Sequence, residues 1–572
     1  MSAIESKKAN CKNCYKCLRN CPVKAIRFTS GQAEIMPDLC ISCGTCVRIC
    51  PQGAQQAESQ LKTVQRMLDR GERVVASLAP SFYGAFKVDD PMKVVGALKK
   101  LGFAKVCETA VGAALVSDEM VRIAKQDEMD NIITTCCPAV NDLIEKHYPE
   151  LVKFLAPVVS PMVAHGRYIK HKDPEAKVVF VGPCLAKIDE ARDVREDDAI
   201  DAVITFADME EWMNKEGLVL TEQEPAALDS EDAGLARMYP TNAGVLHNVK
   251  ARGLTGWQMQ HIEGSDACFE MIKALKQGEM HHIFIEMNMC VGSCMGGPAR
   301  MKERPSRFSA GMKVRDYGRE ADEEVATIDN EGIKLHKSFV DRSKPAKMPT
   351  EEEIKAILRS IGKESKNDEL NCGSCGYPSC RAKAIAVYQK KAELDMCIPF
   401  MYEKSKSFAN LVMETSPNVV MIVDQDMKLL EYSAVGEKYF GKTRTEALQM
   451  YLYEFIDPSD FQWVFDTHQN IHGKKVHYPE FKLDTLQNIV YIPEQNVVLA
   501  TFIDITKEEE QARLEYERKL DTIDLAQKVI HKQMMVAQEI AGLLGETTAE
   551  TKTTLTKLCK SLLEDGSDNG GN

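Results

Sequence analysis

The chain has 572 residues, of which 72 are basic and 85 acidic, so its formal net charge is −13. A composition of 44% hydrophobic and 27% charged residues is that of a globular protein, and the length predicts about four domains of roughly 150 residues. The acidic balance argues against a nucleic-acid-binding protein, and no apolar run approaches the roughly 18 residues of a membrane-spanning helix. The chain starts with polar residues and has neither an apolar signal core nor a twin arginine, which predicts a cytoplasmic location.

The chain has 20 cysteines, and its first 60 residues carry two cysteine runs of the form C-x2-C-x2-C-x3-C-P. In a reducing cytoplasm such cysteines indicate metal ligation or catalysis before disulfides. This spacing predicts a two-cluster 4Fe–4S ferredoxin domain over residues 1–60, in which the fourth cysteine of each run ligates the other run's cluster. The predicted ligand sets are Cys11, Cys14, Cys17 and Cys50 for one cluster and Cys40, Cys43, Cys46 and Cys21 for the other. A pair of zinc ribbons is the alternative.

Three shorter cysteine motifs follow, each at the point where an apolar, strand-like run meets a turn. The motifs read TTCCP at 134–138, GPCLAK at 182–187 and EMNMCVGSCMGGP at 286–298. The strands predicted before them cover 131–133, 178–181 and 283–285. Because strand ends are where α/β folds build their sites, but the motifs lie far apart in sequence, the residues alone indicate only a dispersed metal site.

In this order, behind the ferredoxin runs, the three motifs resemble those of the iron-only (FeFe) hydrogenases over roughly residues 1–340. The resemblance implies a two-lobed α/β hydrogenase domain over residues 61–345. It also implies an H-cluster, in which a 4Fe–4S cubane is joined through one thiolate to a di-iron subcluster with CO, CN⁻ and a dithiolate bridge. The cubane ligands carried over from the family are Cys137, Cys184, Cys290 and Cys294, with Cys294 as the bridging thiolate.

The resemblance also assigns roles around the di-iron subcluster. Cys136 matches the family's cysteine that passes protons beside the dithiolate bridge, and Lys187 matches the lysine that donates a hydrogen bond to a cyanide. The alternative for Lys187 is an ordinary surface lysine. The remaining residues implied to line the cofactor pocket are Ala79, Pro80, Ser81 and Pro183.

Several positions depart from the family's pattern. Gly182 and Asn288 stand where catalytic members have methionines, which predicts a pocket more open at Gly182 and more polar at Asn288. Counted without gaps, the family's proton-relay serine falls on Ala156, and its acidic relay residues fall on Met120 and Ile123. Because proton transfer supplies a large share of an acid–base rate, these positions predict slow turnover.

A further cysteine set, C-x2-C-x4-C-x16-C, falls within residues 346–404 and consists of Cys372, Cys375, Cys380 and Cys397. Glycines and a proline between the first cysteines suit a loop around a metal, and the alanines that follow predict a helix leading to Cys397. The segment resembles the small iron–sulfur domain attached to several redox proteins, which implies a third 4Fe–4S cluster outside the H-cluster. Zinc is the alternative.

Residues 405–507 contain no cysteine and alternate strand-like and helical runs in the order ββ, short helices, βββ. The predicted later strands are 476–483, 489–492 and 497–503. This order, with the sequence Asp-Ile-Thr at 504–506, resembles a PAS domain, although Ser433 stands where the family usually has asparagine. We expect no bound PAS ligand; the alternatives are haem, held by one of three histidines, or an unspecialised α+β dimerisation domain.

Residues 508–572 are charged and helical, with Ile523, Ile530, Ala537 and Leu544 repeating every seven residues. Such a repeat predicts a short coiled coil and hence a homodimer, although a helix packed on its own PAS domain would carry a similar stripe. The residues after Gly545 are too few for the ATP-binding part of a histidine kinase. The composition of 565–572 predicts a disordered tail.

Together these patterns predict a multidomain α+β and α/β protein that acts as an H2-sensing hydrogenase with low activity. Its electrons would pass through the 4Fe–4S clusters, and its PAS domain and terminal helices would relay the signal to a separate kinase or phosphatase. The expected partners are H2 and protons, a ferredoxin or other redox carrier, and hydrogenase maturation proteins, with no nicotinamide, nucleic acid or membrane. The alternatives are a ferredoxin-coupled catalytic hydrogenase and a non-enzymatic iron–sulfur scaffold.

Overall fold

The computed structural model describes residues 2–301, 303–320, 325–541 and 548–564. It divides into two compact units, Met1–Phe400 and Met401–Asn572, and the division falls close to the boundary predicted after residue 404. Among the described helices, none combines the length and apolar character that a membrane span requires.

The first unit contains eleven named strands and fifteen complete helices among its described residues. The strands are β1 (Ile4–Ser6), β2 (Ile26–Thr29), β3 (Gln32–Ile35), β4 (Gln55–Ala57), β5 (Val74–Leu78), β6 (Lys105–Glu108), β7 (Asn131–Ile133), β8 (Lys177–Gly182), β9 (Ala202–Thr205), β10 (Gln258–Glu263) and β11 (Ile283–Asn288). The helices are α1 (Lys16–Asn20), α2 (Thr45–Ile49), α3 (Leu61–Asp69), α4 (Phe82–Ala85), α5 (Met92–Lys100), α6 (Ala110–Gln126), α7 (Pro138–His147), α8 (Pro161–Lys172), α9 (Ala186–Ala191), α10 (Phe206–Lys215), α11 (Gly244–Ala251), α12 (Ser265–Gln277), α13 (Arg307–Glu320), α14 (Glu351–Arg359) and α15 (Cys380–Tyr388).

The ferredoxin part is built from two small antiparallel pairs, β1 with β4 and β2 with β3. Each cysteine run ends in a single helical turn, so that Cys17 lies in α1 and Cys46 in α2. Gly44, which precedes α2, has a φ of +72°, and this left-handed conformation lets the loop between the cysteines turn tightly. The predicted two-run arrangement thus folds as one compact lobe.

The central part contains two separate parallel sheets, which give it the predicted two lobes. One sheet has the strand order β6-β5-β8-β9 and the other the order β10-β11-β7, and every pairing within them is parallel. All five residues of β5 are buried, as expected for an inner strand of a parallel sheet covered on both faces. The predicted strand at 131–133 coincides with β7, and those at 178–181 and 283–285 lie within β8 and β11.

The small domain that follows packs against the ferredoxin part. Arg19 donates a hydrogen bond from Nη1 to the carbonyl oxygen of Ser374 at 3.0 Å. The backbone N–H of Phe28 donates to the carbonyl oxygen of Lys391 at 3.2 Å, and that of Ser30 donates to the Glu393 carboxylate at 2.6 Å. Helix α15 ends at Tyr388, so a loop and a 3-10 turn, rather than the predicted helix, complete the path to the fourth cysteine.

The second unit is dominated by a five-stranded antiparallel sheet. Its elements are β12 (Val419–Val423), β13 (Leu429–Tyr432), α17 (Ala434–Phe440), α18 (Arg444–Ala447), α19 (Ser459–Thr467), β14 (Ile471–Tyr478), β15 (Leu483–Ile492) and β16 (Val497–Asp504). The sheet order is β13-β12-β16-β15-β14, and the helices lie between the second and third strands in sequence. The chain therefore has the element order expected of a PAS domain, around a core that includes Tyr432, Phe461 and Phe502.

One predicted strand in this unit, 476–483, is wrong. The chain turns at Pro479–Phe481, and Lys482 adopts a φ of +49° before β15 begins. Proline lacks the N–H that a strand interior uses for its ladder hydrogen bonds. The apolar run is therefore split between β14 and β15.

Helix α16 (Ile398–Thr415) links the two units in sequence, and two further helices end the described chain, α20 (Thr506–Ala541) and α21 (Thr548–Glu564). Asp504 accepts hydrogen bonds at Oδ1 from the N–H and the hydroxyl of Thr506, at 2.9 and 2.6 Å, which fixes the start of α20 at the Asp-Ile-Thr sequence. In the predicted seven-residue repeat of the coiled coil, Ile523 is buried, whereas the nearby Leu525, which is not part of the repeat, is exposed. Leu544 and the tail 565–572 lie outside the described residues.

Candidate functional site

A cavity of about 110 Å³ lies at the carboxyl ends of both parallel sheets. Its walls follow directly after β5 and β8 of one sheet and after β7 and β11 of the other, the edge where α/β folds bind ligands. It brings together all the residues that the sequence assigned to the H-cluster. These are Ala79, Pro80, Ser81, Cys136, Cys137, Pro183, Cys184, Lys187, Cys290 and Cys294.

The four cysteines predicted as cubane ligands affect one another electrostatically. Burial raises the pKa of Cys294 to about 12, and the neighbouring Cys184 and Cys137 add to the rise. Burial likewise raises the pKa of Cys184 to about 11, with Cys137 adding to it, and raises that of Cys290 strongly. Four thiols that line one cavity and whose ionised forms repel one another suit a multi-iron group, because bound iron supplies the positive charge that thiolates need.

Ser81 gives a second indication that the cavity suits a polar cofactor. Its side chain is almost fully buried, and its Oγ has no hydrogen-bond partner among the described residues. Buried hydroxyls in native proteins are nearly always hydrogen-bonded. A cyanide acceptor in the cavity would provide that partner, so the residues present fit the group that the resemblance implies.

Lys187 lies in α9 and is buried, with 8% of its surface exposed, so it is not a surface lysine. Its Nζ donates hydrogen bonds to Glu190 Oε2 at 2.7 Å, to Ser160 Oγ at 2.8 Å and to the carbonyl oxygen of Cys136 at 3.4 Å. Burial alone would lower the pKa of Lys187, but the Glu190 carboxylate outweighs that effect and the pKa is raised. The cavity therefore has a fixed positive charge in its wall.

The expectation that Gly182 leaves the pocket more open is wrong. A Cβ at this glycine would lie 2.7 Å from Cε1 of Phe180 and 3.0 Å from Cβ of Ala79. The phenylalanine ring therefore occupies the space that a larger residue at 182 would fill. Asn288 does line the cavity, and its amide donates to Glu286 Oε1 at 3.2 Å, so a polar side chain is present on that wall as predicted.

The positions aligned with the family's proton relay hold apolar side chains. Ala156 and Met120 are fully buried and Ile123 is nearly so. None of these side chains has an acidic or hydroxyl group that could donate or accept a proton. Two hydroxyls near the cavity were not predicted: that of Tyr239, which lines the cavity, and that of Ser117, whose Oγ lies 2.8 Å from the Tyr239 hydroxyl. Neither position belongs to a cysteine motif, so no local signal marked them.

Glu286, the first residue of the third cysteine motif, is a buried carboxylic acid whose hydrogen-bond partners lie outside its own strand. It is 1% exposed, and its Oε2 accepts the backbone N–H groups of Val245 and Leu246 at 3.0 and 3.1 Å. Burial raises the pKa of Glu286 to about 8 despite those bonds. An acid at the start of a cysteine motif was the signal that could have identified it.

The ferredoxin cysteines group into the two predicted sets. Burial raises the pKa of Cys17 to about 11, and the charges that add to the rise are those of Cys11, Cys14 and Cys50. Burial raises the pKa of Cys21 to about 12, and the charges of Cys43 and Cys40 add to it. The thiols that raise the pKa of Cys17 and of Cys21 are therefore those that the crossed pattern assigns to the same cluster as each of them.

The ferredoxin lobe meets the central cavity closely at Gly44. A Cβ at this glycine would lie 2.5 Å from the ring of Pro298 and 3.0 Å from Leu185. Cys43, next to it, is near enough to raise the pKa of Cys290 in the central site. One ferredoxin cysteine set is therefore adjacent to the central set.

The last cysteine set forms a separate, smaller pocket beside the ferredoxin lobe. Cys372, Cys375, Cys380 and Cys397 all line one cavity of about 20 Å³. Tyr377 is buried next to it, and its pKa is raised by burial and then by the charges of Cys375 and Cys21. Gly376 would place a Cβ 2.8 Å from Leu18, so this loop packs directly on α1.

Three segments of the chain match known families. Residues 72–298 match the family described as "Iron only hydrogenase large subunit, C-terminal domain", and residues 10–54 match the "4Fe-4S dicluster domain". Residues 368–399 match an iron–sulfur cluster family. The three matched segments contain all sixteen cysteines predicted as ligands.

Individual relatives are distant. Iron hydrogenase 1 of Clostridium pasteurianum is 26% identical over 314 residues, which are 45% of this chain and 55% of the relative, so the chain spans about half of that protein. Cytosolic iron-sulfur assembly component 3 of Bos taurus is 24% identical over 50% of the chain and 76% of its own length. The solved structure of a variant of FeFe-hydrogenase HydA1 from Chlamydomonas reinhardtii has 17% identity and a TM-score of 0.41, over 50% of this chain and 100% of that one.

The matched segments cover the two-run ferredoxin lobe, the cavity with its cysteines, and the small cysteine domain. The cavity lies within the segment that matches the hydrogenase family. The chain is a hydrogenase-like iron–sulfur protein, similar over residues 72–298 to the C-terminal domain of the iron-only hydrogenase large subunit.

Proposed function

We propose that this protein binds an H-cluster in the central cavity and uses it to sense H2, with slow, reversible H2 oxidation. The observation that carries the proposal is the convergence of ten predicted residues on one cavity, with Cys137, Cys184, Cys290 and Cys294 among them. Cys294 is the most exposed of these four thiols within the cavity, which suits its proposed role as the thiolate shared with the di-iron subcluster.

The residues of the chain have separable tasks in this proposal. When bound, the H-cluster supplies the Lewis-acidic iron and the amine base that split H2 into protons and electrons. Lys187 holds a positive charge at the wall, where it would donate a hydrogen bond to a cyanide. Burial raises the pKa of Cys136, so this thiol stays protonated and has a proton to exchange with the cofactor.

Slow turnover follows from the residues at the positions aligned with the family's proton relay. The aligned relay positions are apolar at Ala156, Met120 and Ile123, so protons have no path through them. Proton transfer by a positioned side chain contributes on the order of 10²–10⁴ in rate. A site without the usual relay is therefore better suited to reporting H2 than to producing it.

Electrons would leave through the neighbouring cysteine sets. The set containing Cys43 lies beside the central cubane ligands, and Cys46 of that set is within electrostatic reach of Cys17 in the next. Cys375 of the small domain acts electrostatically on Tyr15, together with Cys11. We therefore place a third 4Fe–4S cluster beside the ferredoxin pair, as a branch of the same electron path.

The small domain directly precedes the second unit in the sequence, so a change of charge at its last cysteine would occur next to that unit along the chain. Cys397 is followed at once by Ile398, the first residue of α16. One electron added to a cluster at this cysteine changes the local charge by one unit, which biases nearby contacts by kcal-scale amounts in a low dielectric. The PAS domain and α20 would pass that bias to a separate kinase or phosphatase, in a cytoplasmic homodimer loaded by maturation proteins.

The test is an infrared spectrum of the anaerobically matured protein under argon and under H2. We expect carbonyl and cyanide bands that shift under H2, together with slow turnover and capture of a kinase or phosphatase as partner. Fast turnover with a ferredoxin would instead support the catalytic alternative, which Glu286 favours because its pKa of about 8 suits proton transfer. Cubane iron without carbonyl or cyanide bands would support the scaffold.

A further inference from the structure

Three buried polar side chains form a hydrogen-bonded chain that ends at the wall of the central cavity. Thr109, which follows β6 and lines the cavity, has its Oγ1 2.8 Å from Ser77 Oγ. Ser77 lies in β5, and its Oγ is in turn 2.7 Å from Nδ1 of His165 on α8. At most 4% of the surface of any of the three residues is exposed. The chain therefore runs through the interior of the fold to the cavity wall.

The number of hydrogens in this chain is fixed. Burial lowers the pKa of His165 to about 3, so the ring is neutral and carries a single N–H. The hydroxyls of Ser77 and Thr109 add one hydrogen each. The chain has two contacts, Thr109 with Ser77 and Ser77 with His165, and each contact uses one hydrogen. One of the three hydrogens is therefore left over at one end of the chain.

The tautomer of His165 decides at which end that hydrogen lies. With the ring hydrogen on Nε2, Thr109 donates to Ser77 and Ser77 donates to Nδ1. The unused hydrogen is then on Nε2, for which the described residues provide no acceptor. With the ring hydrogen on Nδ1, His165 donates to Ser77, Ser77 donates to Thr109, and the unused hydrogen belongs to the Thr109 hydroxyl at the cavity. Because a buried donor without an acceptor is costly, an acceptor in the cavity selects the second arrangement.

A neighbouring pair of hydroxyls at the same cavity has the opposite direction. Ser117 Oγ donates a hydrogen bond to the carbonyl oxygen of Ala113 at 2.9 Å, so its hydrogen is already used. The Tyr239 hydroxyl, 2.8 Å from Ser117 Oγ, must then be the donor in that contact. Towards the cavity Tyr239 can only accept a hydrogen bond, whereas Thr109 can donate one.

We propose that Thr109 donates a hydrogen bond to a cyanide of the di-iron subcluster, and that Ser77 and His165 are positioning residues that hold its hydroxyl in the donating direction. The inference rests on the proposed function, because the acceptor is a ligand of the H-cluster. A metal-bound cyanide is anionic and has a basic nitrogen, and hydrogen bonds to charged acceptors are stronger than those between neutral groups. Cyanide therefore suits this donor better than a neutral carbonyl.

Such a hydrogen bond has a measurable electronic consequence. It withdraws electron density from the cyanide and hence from the iron, in the way that outer hydrogen bonds tune other metal sites. Iron with less electron density donates less of it to the carbonyl ligands, which strengthens their C–O bonds. Removal of the Thr109 hydroxyl should therefore shift a cyanide band and move the carbonyl bands to lower frequency. A hydroxyl that only fills space would produce neither change.

Four variants of the full-length protein test the assignment. Thr109→Val removes the hydroxyl and keeps the branched shape, whereas Thr109→Ser keeps the hydroxyl and removes the methyl group. Ser77→Ala cuts the link to His165 and leaves Thr109 in place. Thr241→Val is the matched control, because Thr241 is buried and its hydroxyl donates to the carbonyl oxygen of Met238 at 2.8 Å. Thr241 is not one of the described residues that line the cavity.

The readout is the infrared spectrum of each anaerobically matured protein under argon. We expect a shifted cyanide band and lower carbonyl frequencies in Thr109→Val, and bands at the parent positions in Thr109→Ser and Thr241→Val. In Ser77→Ala the hydroxyl of Thr109 is no longer held in one direction, so the same bands should broaden and shift by a smaller amount. If Thr109→Val takes up no cofactor, Ser77→Ala decides, and bands of parent position and width in that variant would overturn the inference.

The outcomes separate this inference from the proposed function. Carbonyl and cyanide bands at the parent positions in Thr109→Val would overturn the hydrogen bond alone and leave the proposed function in place. Equal shifts in Thr109→Val and Thr109→Ser, or in Thr109→Val and Thr241→Val, would assign the effect to packing and would also overturn it. A parent protein without such bands would remove the proposed function, and the role of Thr109 with it.

Discussion

The central cysteine site and the small C-terminal cysteine site each bring together four thiols, but they assemble them in different ways. The central set comes from the ends of strands in two sheets and is spread along the chain from Cys137 to Cys294. The small set comes from one stretch between Cys372 and Cys397. The first site therefore depends on the whole fold of its unit, whereas the second depends mainly on a local loop.

Cys294→Ser should have the largest effect at the central site. It removes the thiolate proposed to join the cubane to the di-iron subcluster, and oxygen cannot replace sulfur as a soft ligand there. We expect complete loss of the carbonyl and cyanide bands in the infrared spectrum of matured protein. Cys107→Ser, at a buried cysteine outside every ligand set, is the control; bands that survive in Cys294→Ser would contradict the assignment.

Lys187→Met should come next, and its effect should be visible in the protein before any cofactor is loaded. Removing one partner of a buried ion pair leaves Glu190 charged without compensation, at a cost of about 3–5 kcal/mol in the free energy of unfolding. Urea unfolding of the first unit, followed by tryptophan fluorescence, measures this. The double variant Lys187→Met with Glu190→Leu should recover most of the loss, and the exposed pair variant Lys215→Met should lose at most about 1 kcal/mol. An equal loss in both single variants would show that Lys187 is not a buried charge.

Glu286 should make the central site sensitive to pH. Its pKa in the folded state is raised from the ordinary value of 4.5 to about 8, so the folded state binds the proton more tightly than the unfolded state. Stability should therefore fall as pH rises from 4.5 to about 8. Glu286→Gln should remove this part of the slope when the free energy of unfolding is measured across that range. A slope identical to that of the parent would mean that the carboxyl is not desolvated.

Cys380→Ser should have the smallest effect on the central site, and so tests most directly whether the two cysteine sites are independent. The substitution removes one ligand of the local set, and we expect loss of one paramagnetic cluster signal with the carbonyl and cyanide bands unchanged. Their H2-induced shifts should persist, while binding of a signalling partner should no longer respond to H2. Loss of the infrared bands would mean that the two sites are not independent.

The local cysteine sets could be predicted from the sequence because their spacing encodes the loop that wraps a cluster. The strands before the three central motifs could be predicted for a similar reason, since each is a short apolar run that ends in a turn. The space at Gly182 could not, because the ring of Phe180, two residues earlier, fills it only in the folded chain. Glu190 was not predicted, although it lies three residues after Lys187, because the sequence does not show that Lys187 is buried and needs a carboxylate partner.

The contact at Gly44 has a consequence for the speed at which electrons can move. With no side chain at this position, the loop next to Cys43 lies directly against Pro298 and Leu185. Electron tunnelling between metal clusters weakens exponentially with their separation. A methyl group at position 44 would push this loop away from Pro298 and would slow electron transfer between clusters held by the two cysteine sets. In the proposed function, Gly44 therefore keeps the Cys43 loop close enough to the central cysteine set for fast electron transfer.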